Sequence, residues 1–158
     1  MKDIFYPVFI LLSLSFSLKG AGQTVLSPSA DGYISLGGAG MGRNHGGEDI
    51  LQTCYSYNKN HNYRTFIRFQ LNGQAVPYAT ARFSIYGKAD TAKTVEVYAA
   101  KGDWTETDLT GAPGQKPSLF AYLGAFTVDN KDRYRELDIA GYLNYLGSEG
   151  IKDLTLVL

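Results

Sequence analysis

Between residues 64 and 99 the chain alternates apolar and polar side chains in three separate runs. RTFIRFQL (64–71) sets Thr65, Ile67, Phe69 and Leu71 on one face and Arg64, Phe66, Arg68 and Gln70 on the other. ATARFSIYG (79–87) opposes Ala81, Phe83 and Ile85 to Arg82, Ser84 and Tyr86, and TVEVYA (94–99) opposes Val95 and Val97 to Glu96 and Tyr98. A period of two marks a strand with one buried face, because successive side chains leave a pleated chain on opposite sides. Further strands are predicted at 32–36, 50–57, 122–128, 134–139 and 154–158. Turn-forming stretches rich in Gly, Pro, Asn and Asp separate them at 37–47, 58–62, 71–77, 111–117 and 129–132. Residues 139–147 predict one short helix that turns Leu143 and Leu146 to the core. Many short half-apolar strands predict an all-β fold, an antiparallel β-sandwich. The three alternating strands are consecutive, so they are expected as neighbours in one sheet.

The length of 158 residues suits one domain. Its start is of another kind: Lys2 precedes an apolar run over 4–18, and small residues follow at 20–22. A membrane helix needs about twenty apolar residues, and this run is shorter and broken by Pro7 and serines. The pattern predicts a secretory signal peptide over 1–22, cleaved before Gln23 with Gly20 as the alternative site, and a single exported domain over 23–158. The expected location is extracellular or at the cell surface. At the other end, LTLVL stops within an apolar alternation. That predicts a C-terminally truncated domain, or a final strand supplied by a longer polypeptide.

Without residues 1–22, the 15 basic and 15 acidic side chains lose Lys2, Lys19 and Asp3, leaving 13 against 14. Such a balance argues against nucleic acid as a partner, since phosphate binding needs a basic excess. Cys54 is the single cysteine, so there is no internal disulfide framework, and without a partner motif it is expected as a small apolar residue, not a nucleophile. The glycine-rich segment 37–47 lacks the following helix and the GK[ST] ending of a phosphate loop. Asp31, Glu48 and Asp49 offer oxygens of the type calcium takes, but in no EF-hand spacing, and His45 and His61 lack metal-ligand spacing; no cofactor or metal is predicted.

KGDWTETDLT (101–110) holds the only tryptophan, Trp104, beside Glu106 and Asp108. A buried or loop-anchoring indole is expected over an exposed stacking platform, with Glu106 satisfying backbone donors in the turn. Glycoside hydrolysis needs two carboxyls about 5 to 10 Å apart across a cleft. Neighbouring acids on one extended segment meet that by chance, so no catalytic residue is assigned and no enzyme is predicted. Sugar recognition uses aromatic rings against apolar sugar faces, and arginine adds bidentate recognition of carboxylates. The polar strand faces supply both in Arg68 and Arg82, then Arg64, Tyr86 and Tyr98, with Tyr55, Tyr57 and Tyr63 as second choices. The alternative is a solvated face of cross-strand Arg, Glu and Tyr pairs.

In order, ADGYISL, RNHGGEDILQ, RTFIRFQLNGQAVPYATARFSIYG, VEVYAAKGDWTETDLT, GAPGQKP, YRELDIAGYLN and LTLVL resemble the DNRLRE domain, also classed as carbohydrate-binding module family 96 and related to the disaggregatase-associated repeat. The resemblance runs over about residues 29–158; His45, Gln70, Gly111 and Ala140 stand where the pattern has Tyr, Asp, Trp and Thr. It implies a secreted, jelly-roll-like β-sandwich accompanying polysaccharide-degrading enzymes or surface proteins, with members that bind alginate. The expected partners are therefore a polysaccharide, with a polyuronate as the acidic candidate, and a catalytic domain in the same or a partner chain. A structural or adhesive module without a sugar site is the alternative.

Overall fold

The computed structural model describes residues 12–17, 24–57, 61–71 and 77–158. Among them the strands are β1 (Leu12–Ser17), β2 (Thr24–Leu26), β3 (Ala30–Ser35), β4 (Tyr63–Gln70), β5 (Thr80–Gly87), β6 (Lys93–Lys101), β7 (Ser118–Val128), β8 (Arg133–Asp138) and β9 (Asp153–Val157); helix α1 (Ala140–Ser148) precedes β9. Two antiparallel sheets result, one ordered β2, β1, β5, β8 and the other β3, β4, β9, β6, β7. Their facing sides make the core that the alternation predicts: Ile67, Phe69, Val97, Leu154 and Leu156 meet Ala81, Phe83 and Ile85, with Leu143 and Leu146 of α1 closing one side. Phe69 and Phe83 touch edge to face across the layers, ring centroids 6.5 Å apart, a favoured aromatic geometry.

Three expectations need correction. The strands β4, β5 and β6 are not neighbours, because β5 lies in the other sheet and β9 separates β4 from β6. Val157 is opposite Phe66 of β4 and also opposite Tyr98 of β6. Alternation decides which face of a strand is buried and leaves open which strand completes its hydrogen-bond ladder. Residues 50–57 form no strand; the Cys54–Tyr63 bridge is isolated, and side chains hold the segment instead, with Thr65 Oγ1 donating to Gln52 O (2.8 Å) and Thr53 Oγ1 to Leu158 O (3.2 Å). The strand expected at 122–128 starts at Ser118.

β1 falls within the segment assigned to an export signal. It pairs with β5 from Leu12 opposite Ile85 to Ser17 opposite Thr80, and Leu14 is fully buried. The expected cleavage sites at Gly20 and Gly22, and parts of the turns at 58–62 and 71–77, lie outside the described residues.

A second apolar cluster sits on the outer side of the five-stranded sheet. Ala30, Ile34, Phe66 and Val157 are covered there by Trp104 and Leu109. Phe66 belongs to the alternation's polar face yet is fully buried; the segment after β6 folds back over it.

A candidate carbohydrate platform on the five-stranded sheet

The stretch around Trp104 is a lid. Its indole is 5 % exposed, lies 6.2 Å from the Phe66 ring, and donates Nε1–H to Thr155 Oγ1 of β9 (3.1 Å). Glu106 Oε1 accepts from the Asp31 backbone N–H (3.0 Å), so its carboxylate satisfies a donor in β3 instead of one in its own turn. Burial, with the Glu106 charge beside it, raises the Asp31 carboxyl above its ordinary range. Asp108 Oδ2 accepts from Thr105 Oγ1 (2.6 Å).

The glycine-rich segment braces this lid. Asn44 Nδ2 donates to the carbonyls of Glu106 and Leu109. A side chain at position 46 would reach within 2.2 Å of Glu106 O, so the approach requires glycine there. Behind it, Glu48 takes hydrogen bonds from Tyr33 Oη (2.5 Å) and His45 Nδ1 (2.6 Å), with Arg43 at 3.5 Å. The buried His45 ring stacks on Tyr33 at 4.2 Å. The Tyr33 hydrogen bond holds the Glu48 carboxyl below its usual range, with His45 adding to it. Glu48 is thus engaged in loop anchoring. Among the described residues, no group of three His, Cys, Asp or Glu side chains comes together to hold a metal ion.

The sequence-derived ligand residues divide between two faces. Arg82 and Tyr86 sit on the outer side of the four-stranded sheet, where Arg82 pairs with Glu136 (3.0 Å) and Tyr86 packs on Tyr134 (5.2 Å). Arg64, Arg68 and Tyr98 belong to the five-stranded sheet. There Arg68 serves the lid: Nη1 donates to Trp104 O (2.8 Å) and Cζ lies 5.6 Å from the indole centroid. Arg64 and Tyr98 line one cleft together with Tyr55 and Tyr63, and Tyr86 reaches its margin from the other sheet. The side chains of Tyr55 and Tyr57 project from their loop into solvent.

The neighbours of Tyr98 were missed by sequence reasoning. Tyr122, directly opposite on β7, has its ring 5.3 Å away and is 58 % exposed. Two register shifts against β6 mark irregular pairing in β7, and such bulges re-aim side chains. Beside them Gly124 has φ +144°, and a Cβ there would lie 2.8 Å from Leu137. At the second shift Phe120 is 46 % exposed and carries Lys101 Nζ 3.4 Å from its ring centroid, within the range of a cation–π contact. Next to Lys101, a polar groove of about 650 Å³ is lined by Asp103, Thr107, Asp108, Gln115 and Lys116. Half-buried Tyr98, exposed Tyr122 and Phe120, Lys101 and the polar groove therefore follow one another along β6 and β7, with Arg64 of β4 near Tyr98; Arg64 and Lys101 form no ion pair among the described residues.

This is the chemistry of a sugar platform, and a family model matches residues 22–157. The chain belongs to carbohydrate-binding module family 96. Its ligand class is carbohydrate, and modules of this kind are generally non-catalytic. No curated protein matches the module. Among its described residues no helix is long and apolar enough to cross a membrane. On this platform the Tyr98 phenol is pushed up by its hydrogen bond to Glu96 Oε2 (2.8 Å), with Arg64 opposing, so the hydroxyl stays protonated and can both donate and accept.

Proposed function

We propose that this module is exported, binds an acidic polysaccharide such as a polyuronate along Tyr98, Tyr122 and Phe120, and does no chemistry of its own, cleavage falling to a catalytic domain in the same or a partner chain. The observation that carries this is the row of half-buried Tyr98 and exposed Tyr122 and Phe120, with Arg64 at one end and Lys101 at the other. Rings cover the apolar faces of sugar residues, while Arg and Lys meet carboxylates. Along a strand each residue advances about 3.3 Å, so Tyr122 and Phe120, two positions apart on β7, lie about 7 Å apart along it, with Tyr98 directly opposite Tyr122. Glu106 and Asp108 are both engaged in holding the lid, which supports a binding role over an acid–base one.

Affinity electrophoresis in gels containing alginate, pectate, xylan, cellulose or chitin tests this. Retardation by a uronate polymer that Tyr122→Ala and Lys101→Ala lose, and Arg82→Ala keeps, is the expected result. A folded module that no polymer retards is instead a structural or adhesive unit. Export is tested by the intact mass of the secreted form, which is expected to begin near Gln23; a product still carrying residues 12–17 would overturn the leader assignment.

A further inference from the structure

The aromatic row carries charge of both signs along its length. Val97 faces the core and Ala100 packs on the outer cluster, so by alternation Thr94, Glu96 and Tyr98 share the outer face of β6. Opposite them on β7 stand Thr127, Ala125 and Tyr122. Glu96 is exposed, and its Oε2 accepts from Tyr98 Oη (2.8 Å). Its Oε1 takes no hydrogen bond, and neither oxygen pairs with a cation among the described residues. The methyl group of Ala125 across the ladder leaves this carboxylate uncovered.

A carboxylate accepts hydrogen bonds from sugar hydroxyls and repels a second carboxylate. Lys101, against the Phe120 ring, does the reverse. At about 3.3 Å per residue Lys101 stands about 16 Å from Glu96 along β6, farther than one sugar ring reaches, so the two charges meet different units of one chain. Arg64 approaches Tyr98 from the β4 side, across β9 and away from β7, and leaves Glu96 without an ion pair.

We infer that Glu96 is a specificity-determining residue: the unit over Glu96 and Ala125 is an uncharged sugar held by its hydroxyls, while a carboxylated unit lies toward Phe120 and Lys101. The inference rests on the platform reading and narrows it. The ligand class is an acidic polysaccharide with uncharged units among its uronates, and a homopolymer with a carboxylate on every unit binds against the repulsion of Glu96. Thr94 and Thr127, both exposed and directly opposed beyond Glu96 and Ala125, add hydroxyls and no cation at that end of the row, which suits a neutral sugar.

Pectate and partly methyl-esterified pectin of matched length are the probes, because they share one backbone and differ in the fraction of uncharged units. Glu96→Gln keeps an acceptor for Tyr98 Oη and removes the charge. Titration calorimetry is expected to show this variant binding pectate about fivefold more tightly than the native module, with a smaller gain for the esterified polymer and a gain that added salt reduces. Unchanged or weakened pectate binding by Glu96→Gln, or an equal gain with both polymers, overturns the inference. If Tyr122→Ala loses pectate while Glu96→Gln leaves it unchanged, this inference falls and the platform stands. If Tyr122→Ala binds as the native module does, or neither polymer binds any form, the platform reading falls and this inference with it.

Discussion

On the outer side of the four-stranded sheet, Arg82 is paired with Glu136, Lys88 with Asp132 and Tyr86 with Tyr134. On the outer side of the five-stranded sheet, Trp104 and Leu109 seal Phe66, while Tyr98 and Tyr122 stand beside cations that pair with no carboxylate among the described residues. Both faces come from the same alternation of Arg, Tyr and small residues. What separates them is what folds over each. The first neutralises itself across neighbouring strands and keeps little charge for a ligand. The second gains a lid, which buries its centre and leaves aromatic rings and free charge toward the β7 edge.

The largest effect that would erase this contrast is removal of the lid's anchor. Trp104→Ala empties a sealed site and is expected to lower stability by about 3 to 5 kcal/mol, measured by urea unfolding. Tyr134→Ala, on the other face, is expected to cost about 1 kcal/mol or less. Equal losses would mean that the lid is not an energetic unit.

Binding sharpens the comparison next. Tyr122→Ala is expected to weaken uronate affinity by about tenfold, or ~1.4 kcal/mol, whereas Arg82→Ala leaves it unchanged; titration calorimetry with a defined oligouronate reads both. If Arg82→Ala is the damaging change, the binding face has been misassigned.

Acid probes the loop that braces the lid. The Glu48 carboxyl is held below its ordinary value near 4.5, first by Tyr33. Its contribution is therefore complete above that value and is lost as pH falls toward and through the lower folded-state value. Urea midpoints followed from neutrality down through the carboxylate range should fall less steeply for Glu48→Gln than for the native chain. Parallel curves would remove Glu48 from that role. The smallest effect is expected on the opposite face, where a double-mutant cycle on Arg82 and Glu136 should return about 0.2 to 1 kcal/mol, since both groups are exposed.

Much of the scaffold was legible in advance. The alternations in 64–71, 79–87 and 94–99 place Ile67, Phe69, Phe83, Ile85 and Val97 in the core, and 139–147 anticipates α1 with Leu143 and Leu146 buried. Trp104 was foreseen as an anchor and is one. The binding face was less legible. Arg68 and Arg82 are equivalent in the alternation, but the lid carbonyl takes one and Glu136 the other. Phe120 and Tyr122 stand in SLFAYLGA, which has no clean alternation because β7 is irregularly paired there. A run of three aromatics within Phe120 to Phe126 was the available signal.

By itself the sequence determined the fold class, the inward faces of β4, β5 and β6 and the family, because side-chain alternation and the order of turn-separated blocks are properties of the local chain. Only the tertiary structure decided which strands are neighbours, which polar face is covered and where exposed aromatics gather. Backbone ladders are chemically alike in every strand, so partner choice is settled by how the whole chain closes its two layers. β9 takes the place between β4 and β6 and so sets Arg64 and Tyr98 one strand apart, while the direct pairing of β6 with β7 brings Tyr98 beside Tyr122.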